Sequence, residues 1–135
     1  MHADIDALIR AARAARESAY APYSKFGVGA ALLTKDARVF SGCNVENASY
    51  GLSNCAERTA FYSAIAAGCR PGDFTHLVVI GDTDGPIAPC GACRQVMMEL
   101  GGAQLIVVQT NLHGAVTKTT AAVLLPEAFA LDPVG

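Results

Sequence analysis

Apolar positions at the start of the chain follow a helical period. Between Asp4 and Tyr20 the apolar residues fall on one side of a helix, and the arginines lie on the other side. Pro22 predicts the end of this helix. Two short apolar or alternating runs follow, Val28–Thr34 and Arg38–Cys43. The polar residues between these two runs predict a turn, and the runs therefore predict a two-stranded hairpin.

The rest of the chain alternates helical patterns with continuous apolar runs. Asn54 is predicted to cap a helix that runs to about Ala67. The β-branched run within His76–Asp82 is typical of a strand that is buried on both faces. A helix, two strands and a short helix are then predicted, in this order, at Cys90–Leu100, Leu105–Val108, Ala115–Thr119 and Thr120–Leu125.

This order of elements predicts an α/β fold, a three-layer α/β/α sandwich with crossover connections. In open α/β sheets, sites lie beyond the carboxyl ends of the strands, where the following helices begin. Cys55 and Cys90 lie at two of the predicted helix starts. With 135 residues, the chain is predicted to form a single domain over residues 1–135.

Composition narrows the class of protein. Hydrophobic residues make up 52% of the chain and charged residues 16%, which excludes a disordered chain. Neither a spanning helix nor a secretion leader is predicted, because polar residues interrupt every long charge-free stretch and acidic residues lie close to the N-terminus. The net charge of -2 argues against a nucleic-acid partner. An apolar, weakly charged surface favours burial between subunits.

The sequence has five cysteines, an odd number, and no secretion signal is predicted. Both features favour a reducing compartment such as the cytoplasm. Cys90 and Cys93 form a C-x-x-C pair, which suits a tetrahedral zinc ion, a redox dithiol at a helix start or two packed core thiols. Cys55 adds a third thiolate, and three protein ligands leave a fourth position open for water, as in catalytic zinc sites. Glu57 follows in the first turn of the same predicted helix, where it can shuttle protons or simply stabilise the helix N-terminus.

Several motifs resemble those of the small, homotetrameric cytidine deaminases. Cys55–Arg58 (CAER) and Pro89–Cys93 (PCGAC) resemble the zinc-deaminase signature in its three-cysteine form. The resemblance continues in residues 23–32 and 42–50 and in the C-terminal segment 124–129, so that it covers nearly the whole chain. It implies a mixed five-stranded sheet and the zinc-dependent hydrolytic deamination of cytidine and deoxycytidine in pyrimidine salvage.

The resemblance also implies a metal centre. One zinc ion per subunit is expected, and Glu57 is expected to move protons between water and the substrate. Arg58 is expected to donate to a thiolate sulfur and to offset the third negative charge of the ligand set, although an ordinary solvated arginine is the alternative. The implied zinc ligands are Cys55, Cys90 and Cys93.

The nucleoside is expected to lie between several side chains. Asn44 and Glu46 would hold the ribose hydroxyls, because an amide and a carboxylate can donate to and accept from a diol. Phe26 would stack near the pyrimidine, and Phe129 would reach into the site of a neighbouring subunit. The loop near Tyr50 would line the ribose end from an adjacent subunit. The implied substrate-binding residues are Phe26, Asn44, Glu46, Ala48, Tyr50, Ala56 and Phe129.

Simpler interpretations stay open for some of these residues. Apart from the motif, Phe26 and Phe129 are more typical of core aromatic residues, and Asn44 is typical of a turn that follows a strand. Cys43 and Cys69 are interpreted as small buried thiols. No role is predicted for the histidines, because none has the spacing of a metal ligand; they are His2, His76 and His113.

Four other classes of protein share parts of the pattern. A deaminase of a cytosine-containing nucleoside antibiotic shares the zinc motifs but does not need Asn44 and Glu46. A nucleic-acid editing deaminase would carry a long basic tract, which is absent from the sequence. A zinc-stabilised interaction domain would close the metal site with a fourth ligand, and a redox protein would use Cys90 and Cys93 without metal.

Overall fold

A mixed five-stranded sheet forms the centre of the fold. The structure, a computed structural model, describes residues 3–131, so His2 and both ends of the predicted domain lie outside it. Along the sheet the strands lie in the order β2-β1-β3-β4-β5; β3 and β4 run parallel, and every other neighbouring pair is antiparallel. In chain order β1 to β5 are Val28–Thr34, Val39–Cys43, Phe74–Gly81, Ile106–Asn111 and Val116–Thr120.

Helices cover both faces of this sheet. On one face, α1 packs Leu8 and Ala12 against β1, β3 and β4. On the other face, α2 packs Ala60 and Phe61 against the sheet, and the hydrophobic core there includes residues of α3 and α4. The predicted three-layer α/β/α sandwich is therefore confirmed. In chain order α1 to α4 are Ile5–Arg16, Ala56–Ala66, Gly91–Val96 and Ala121–Leu124.

The side chains of β3 explain why its sequence is apolar without alternation. Leu77 and Val79 lie in the core beneath α2, whereas Val78 and Ile80 lie in the core beneath α1. A strand between two helical layers buries both of its faces, and both sets of side chains must therefore be apolar. The edge strand β5, with the sequence VTKTT, is largely exposed.

Two glycines let helices rest directly on strands. A Cβ atom at Gly29 would lie 1.9 Å from the Ala12 carbonyl oxygen of α1. A Cβ atom at Gly42 would lie 2.5 Å from the Ala56 carbonyl oxygen, in the first turn of α2. No side chain larger than hydrogen fits at either point, so the backbone of β2 supports the turn of α2 that follows Cys55.

Three predicted helix boundaries were wrong, each because of a tertiary contact or a local change of helical type. The first helix ends at Arg16, and Tyr20 instead pairs with Val45 in an isolated bridge. Asn54 pairs with Val45 as well, so that Cys55, one residue later, occupies the N-cap position of α2, without a capping hydrogen bond from its side chain. The predicted helix at residues 90–100 is α-helical only in its first half and continues as the π-helical turn Met97–Gly101.

Candidate active site

Three cysteine side chains converge where two helices begin. Cys55 is the residue immediately before α2, Cys90 is the residue immediately before α3, and Cys93 lies in the first turn of α3. The three sulfur atoms all lie within 4.8 Å of one another, and the Sγ atoms of Cys55 and Cys90 are 3.7 Å apart. The convergence that the sequence predicted is therefore confirmed.

The sulfur geometry fits a tetrahedral zinc ion. Zinc–sulfur bonds of about 2.3 Å at a tetrahedral angle place two sulfur atoms about 3.8 Å apart, close to the distance between Cys55 and Cys90. Cys93 is buried, whereas Cys90 is exposed and Cys55 is partly exposed, so the cluster is open on one side. Within residues 3–131 no further cysteine, histidine or carboxylate joins this group. Three thiolates with an open fourth position suit a catalytic zinc ion better than a closed structural one.

Arg58 polarises the cysteine cluster. Its Nη2 donates to the Sγ atom of Cys55 at 3.3 Å. Hydrogen bonds from the thiol of Cys93 and from Arg58 lower the pKa of Cys55 to about 5, against the opposing effect of burial. The pKa of Cys93 is raised, because Cys93 keeps the proton that it shares with Cys55 and because it is buried. The thiolate of Cys55 in turn raises the pKa of Arg58.

Glu57 points into the same region from the first turn of α2. Its side chain is 4% exposed, which is unusual for a carboxylate, and it lines a cavity together with Cys55 and Cys90. Burial raises the pKa of the Glu57 carboxyl, and the neighbouring Cys55 thiolate raises it further. A carboxyl group with a raised pKa takes up a proton more readily than an exposed one, and it can pass this proton on.

The cavity has a volume of about 250 Å³, and its polar lining residues fall into two groups. We call Cys55, Glu57 and Cys90 the metal end, and Asn44 and Glu46, which Ser24 accompanies, the polar end. The rest of the lining is an apolar wall formed by Phe26, Val28, Ala56, Ile87 and Ala88. An apolar cavity with two groups of polar residues suits a flat ring that carries polar substituents.

Hydrogen bonds to the backbone hold the polar end in place. The Oδ1 atom of Asn44 accepts from the Val28 N–H at 2.8 Å, and its Nδ2 donates to the Phe26 carbonyl at 2.7 Å. The Glu46 carboxylate accepts from two backbone N–H groups, at 3.0 and 3.1 Å, and from the Ser24 hydroxyl. These hydrogen bonds lower the pKa of Glu46, and the Ser24 hydroxyl has the largest effect. The carboxylate of Glu46 is therefore held in position, and its charged form is favoured.

Comparison with known families agrees with this geometry. A sequence model described as "Cytidine and deoxycytidylate deaminase zinc-binding region" matches residues 2–109. The chain belongs to the cytidine and deoxycytidylate deaminase family. The resemblance inferred from the motifs is thus confirmed, and the matched region contains the cysteine cluster, whose geometry fits a zinc site.

Individual relatives match almost the whole chain. The cytidine deaminase of Sporosarcina psychrophila is 52% identical over 129 residues, which cover 96% of this chain and 93% of the relative. That of Halalkalibacterium halodurans is 53% identical over 129 residues, with 96% of each chain covered. The crystal structure of cytidine deaminase from Burkholderia pseudomallei is 68% identical and superimposes with a TM-score of 0.91, covering 92% of this chain and 98% of the other.

Some residues that the deaminase motifs implied lie away from this cavity. Tyr50 is 77% exposed and lines a neighbouring cavity of about 380 Å³, which shares Ser24 and Glu46 with the first. Phe129 is 69% exposed, and its carbonyl accepts a hydrogen bond from the Gln95 side chain at 3.0 Å. Ala48 is exposed and lines neither of these two cavities. The intersubunit roles of these residues remain predictions.

Three cavity residues carry no separate signal in the sequence. Ile87 and Ala88 follow a Gly-Pro turn and precede Cys90, and this position next to a predicted metal ligand is the only sequence feature that points to them. Ser24 belongs to a family motif, but a hydroxyl in a polar loop has no spacing that indicates a function.

Within residues 3–131 no helix has both the length and the apolar character needed to cross a membrane.

Proposed function

We propose that this chain catalyses the hydrolytic deamination of cytidine and deoxycytidine to uridine and deoxyuridine, with release of ammonia. The observation that carries the proposal is the buried carboxylate of Glu57 next to three converging cysteines, in a cavity that Asn44 and Glu46 also line. The relatives from Sporosarcina psychrophila and Halalkalibacterium halodurans are both cytidine deaminases, which supports this substrate class.

Cys55, Cys90 and Cys93 hold one zinc ion per chain in this proposal. A bound zinc ion supplies a Lewis acid that lowers the pKa of a coordinated water to near neutrality. Arg58 offsets part of the negative charge of the three thiolates, because its guanidinium donates to the sulfur of Cys55. Without this offset, a divalent ion with three thiolate ligands would carry a formal net charge of about -1, which would make the coordinated water less acidic.

Glu57 moves the protons. It takes one proton from the attacking water, whose oxygen forms a bond to carbon 4 of the cytosine ring, and delivers a proton to ring nitrogen 3. Glu57 then transfers a second proton from the added hydroxyl to the amino group. The bond between carbon 4 and the amino nitrogen breaks, and ammonia leaves. The raised pKa of the buried Glu57 carboxyl supports this repeated gain and loss of a proton.

The nucleoside lies along the cavity with its amino group at the metal end and its ribose at the polar end. Phe26 and Ala56 contact the pyrimidine across the apolar wall. Asn44 and Glu46 bind the ribose hydroxyls. Asn44 has one amide N–H left after its bond to the Phe26 carbonyl, and Glu46 has one lone pair left after its three hydrogen bonds. Each residue can therefore serve one hydroxyl.

The chain assembles as a homotetramer whose active sites are shared between subunits. Phe129, Ala48 and Tyr50 contribute to the site of a neighbouring subunit, and the exposure of these residues in a single chain supports this arrangement. Further large apolar side chains are exposed and available for subunit contacts; they include Tyr20, Val39, Val45, Leu52, Tyr62 and Val123.

The enzyme acts on free nucleosides in the cytoplasm, in pyrimidine salvage. It binds neither nucleic acid nor membranes.

The experiment that tests the function follows the ultraviolet absorbance of cytidine and deoxycytidine in the presence of the zinc-loaded protein. A steady loss of cytidine absorbance with one equivalent of ammonia released is expected, and a strong chelator should abolish it. Unchanged absorbance with both nucleosides, from protein that contains zinc, would refute the proposal. Light scattering on the same sample tests the tetramer separately.

A further inference from the structure

Ser24 lies between two parts of the proposed site that are far apart in the sequence. Its hydroxyl donates to the Glu46 carboxylate, and the same oxygen accepts from the Phe26 N–H at 3.0 Å. The backbone N–H of Ser24 also donates to Glu46, at 3.1 Å. One serine thus contacts both the anion at the polar end and the residue that carries the aromatic ring of the apolar wall.

The residue between Ser24 and Phe26 has an unusual backbone. Lys25 has a φ of 60°, in the left-handed region that residues other than glycine rarely adopt. The hydrogen bond from the Phe26 N–H to the Ser24 hydroxyl spans this residue and closes the turn around it. The turn directs the chain so that Phe26 lines the cavity.

The backbone carbonyl of Phe26 is held by a hydrogen bond as well. The Asn44 amide donates to the Phe26 carbonyl at 2.7 Å. Both backbone groups of Phe26 are therefore tied to the residues at the polar end, the carbonyl directly to Asn44 and the N–H through Ser24 to Glu46. Because these hydrogen bonds lie in exposed loops, packing does not replace them when one is lost.

We propose that Ser24 is a positioning residue that couples the polar end of the cavity to Phe26, so that the ribose and the base of the substrate are bound cooperatively. The expected change in KM rests on the proposed nucleoside deaminase function, whereas the expected change at the Phe26 N–H and at Glu46 does not. Ser24 lines the same cavity as Cys55 and Glu57, but among residues 3–131 its side chain has hydrogen bonds only with Glu46 and Phe26, so its effect is expected on substrate binding more than on the chemical step.

The kinetic test compares Ser24→Ala with two other variants of the full-length, zinc-loaded protein. Ser24→Ala should raise KM for cytidine about ten-fold, as expected for the loss of a hydrogen bond to a charged group, with a much smaller change in kcat. Ser24→Thr keeps the hydroxyl and should restore most of the loss. Ser18→Ala, at an exposed position beyond α1, is the matched control and should behave as the wild type.

A second measurement does not depend on activity. In Ser24→Ala, hydrogen exchange of the Phe26 amide should accelerate, and the pKa of Glu46, measured by carbon NMR, should rise towards its ordinary value. Neither should change in Ser18→Ala. If the pKa of Glu46 rises while exchange at Phe26 is unchanged, Ser24 serves Glu46 alone and the coupling is refuted. Unchanged values for both residues would also refute it.

A double-mutant cycle tests whether Ser24 acts through Glu46. Ser24→Ala and Glu46→Ala are made singly and together, and kcat/KM for cytidine is compared. Because both residues belong to one hydrogen-bonded network, the loss in the double variant should be smaller than the product of the two single losses. Multiplicative losses would contradict the proposal. If the wild type leaves cytidine unchanged, the proposed function fails, and the NMR measurements alone decide the role of Ser24.

Discussion

The two ends of the cavity are built in different ways. At the metal end, Cys55, Glu57 and Cys90 lie where α2 and α3 begin, on helices that pack on the sheet, and Glu57 is buried. At the polar end, Asn44 and Glu46 lie in loops beside the sheet and are fixed by hydrogen bonds to backbone groups. The difference teaches where each kind of change acts: substitutions at the metal end should affect the reaction, and those at the polar end should affect binding.

The largest effect is expected from Cys55→Ala, which removes one of the three proposed zinc ligands. Two cysteines remain, and the zinc content after dialysis against a mild chelator should fall from one ion per chain to almost none, with a lower melting temperature and no measurable turnover. Elemental analysis provides the measurement. Cys43→Ala removes a thiol outside the cluster and should keep its zinc. Full zinc content in Cys55→Ala would show that this residue is not a ligand.

Glu57→Gln should separate zinc binding from proton transfer. The amide keeps the shape of the side chain but cannot accept and return a proton, so kcat should fall by up to ~10⁴-fold while the zinc content stays at the wild-type value. Steady-state kinetics with elemental analysis on one sample measures both. Glu17→Gln, an exposed carboxylate at the end of α1, is the control. A Glu57→Gln enzyme with a tenth of wild-type activity would rule out the shuttle.

Arg58→Gln tests the charge balance at the metal end. Loss of the donor to the Cys55 sulfur should lower kcat by about 10–100-fold, the range found for residues that support metal ligands. KM for cytidine should change little, because Arg58 does not line the cavity. Arg13→Gln, on the exposed side of α1, provides the matched loss of charge. A change in KM without a change in kcat would place Arg58 in substrate binding instead.

Glu46→Gln should have the smallest of these effects and should act on binding. A neutral amide accepts hydrogen bonds less strongly than a carboxylate, so KM for cytidine should rise about ten-fold. Free cytosine lacks the ribose, and for this substrate the wild type and the variant should differ much less. The comparison of kcat/KM for the two substrates is the measurement. Equal losses with cytidine and cytosine would mean that Glu46 acts only by holding Phe26.

Much of the fold follows from the sequence, because burial leaves a pattern. The continuous apolar run of β3 predicts a strand between two layers, and Leu77 and Val78 lie in opposite cores as such a strand requires. The end of α1 could not be predicted, because it depends on the bridge between Tyr20 and Val45, which are far apart in the chain.

The metal end was predictable for a similar reason, since cysteines with ligand spacing at two helix starts are a local signal. The hydrogen-bonded network at the polar end leaves no such signal. Ser24 and Glu46 are separated by 22 residues in exposed loops, and only the folded chain brings them together. The places of Phe129 and Tyr50 depend on a second subunit and stay predictions.

Gly42 bears on how the protein tolerates change in its sequence. Because the first turn of α2 rests on the backbone of β2 at this glycine, the height of Cys55 and Glu57 above the sheet is set by two main chains in contact. The sizes of core side chains have little influence on it. Volume-conserving exchanges in the core, such as Leu77→Met, should therefore shift the melting temperature and spare turnover. The sequence of the core can therefore change during evolution while Cys55 and Glu57 keep their positions.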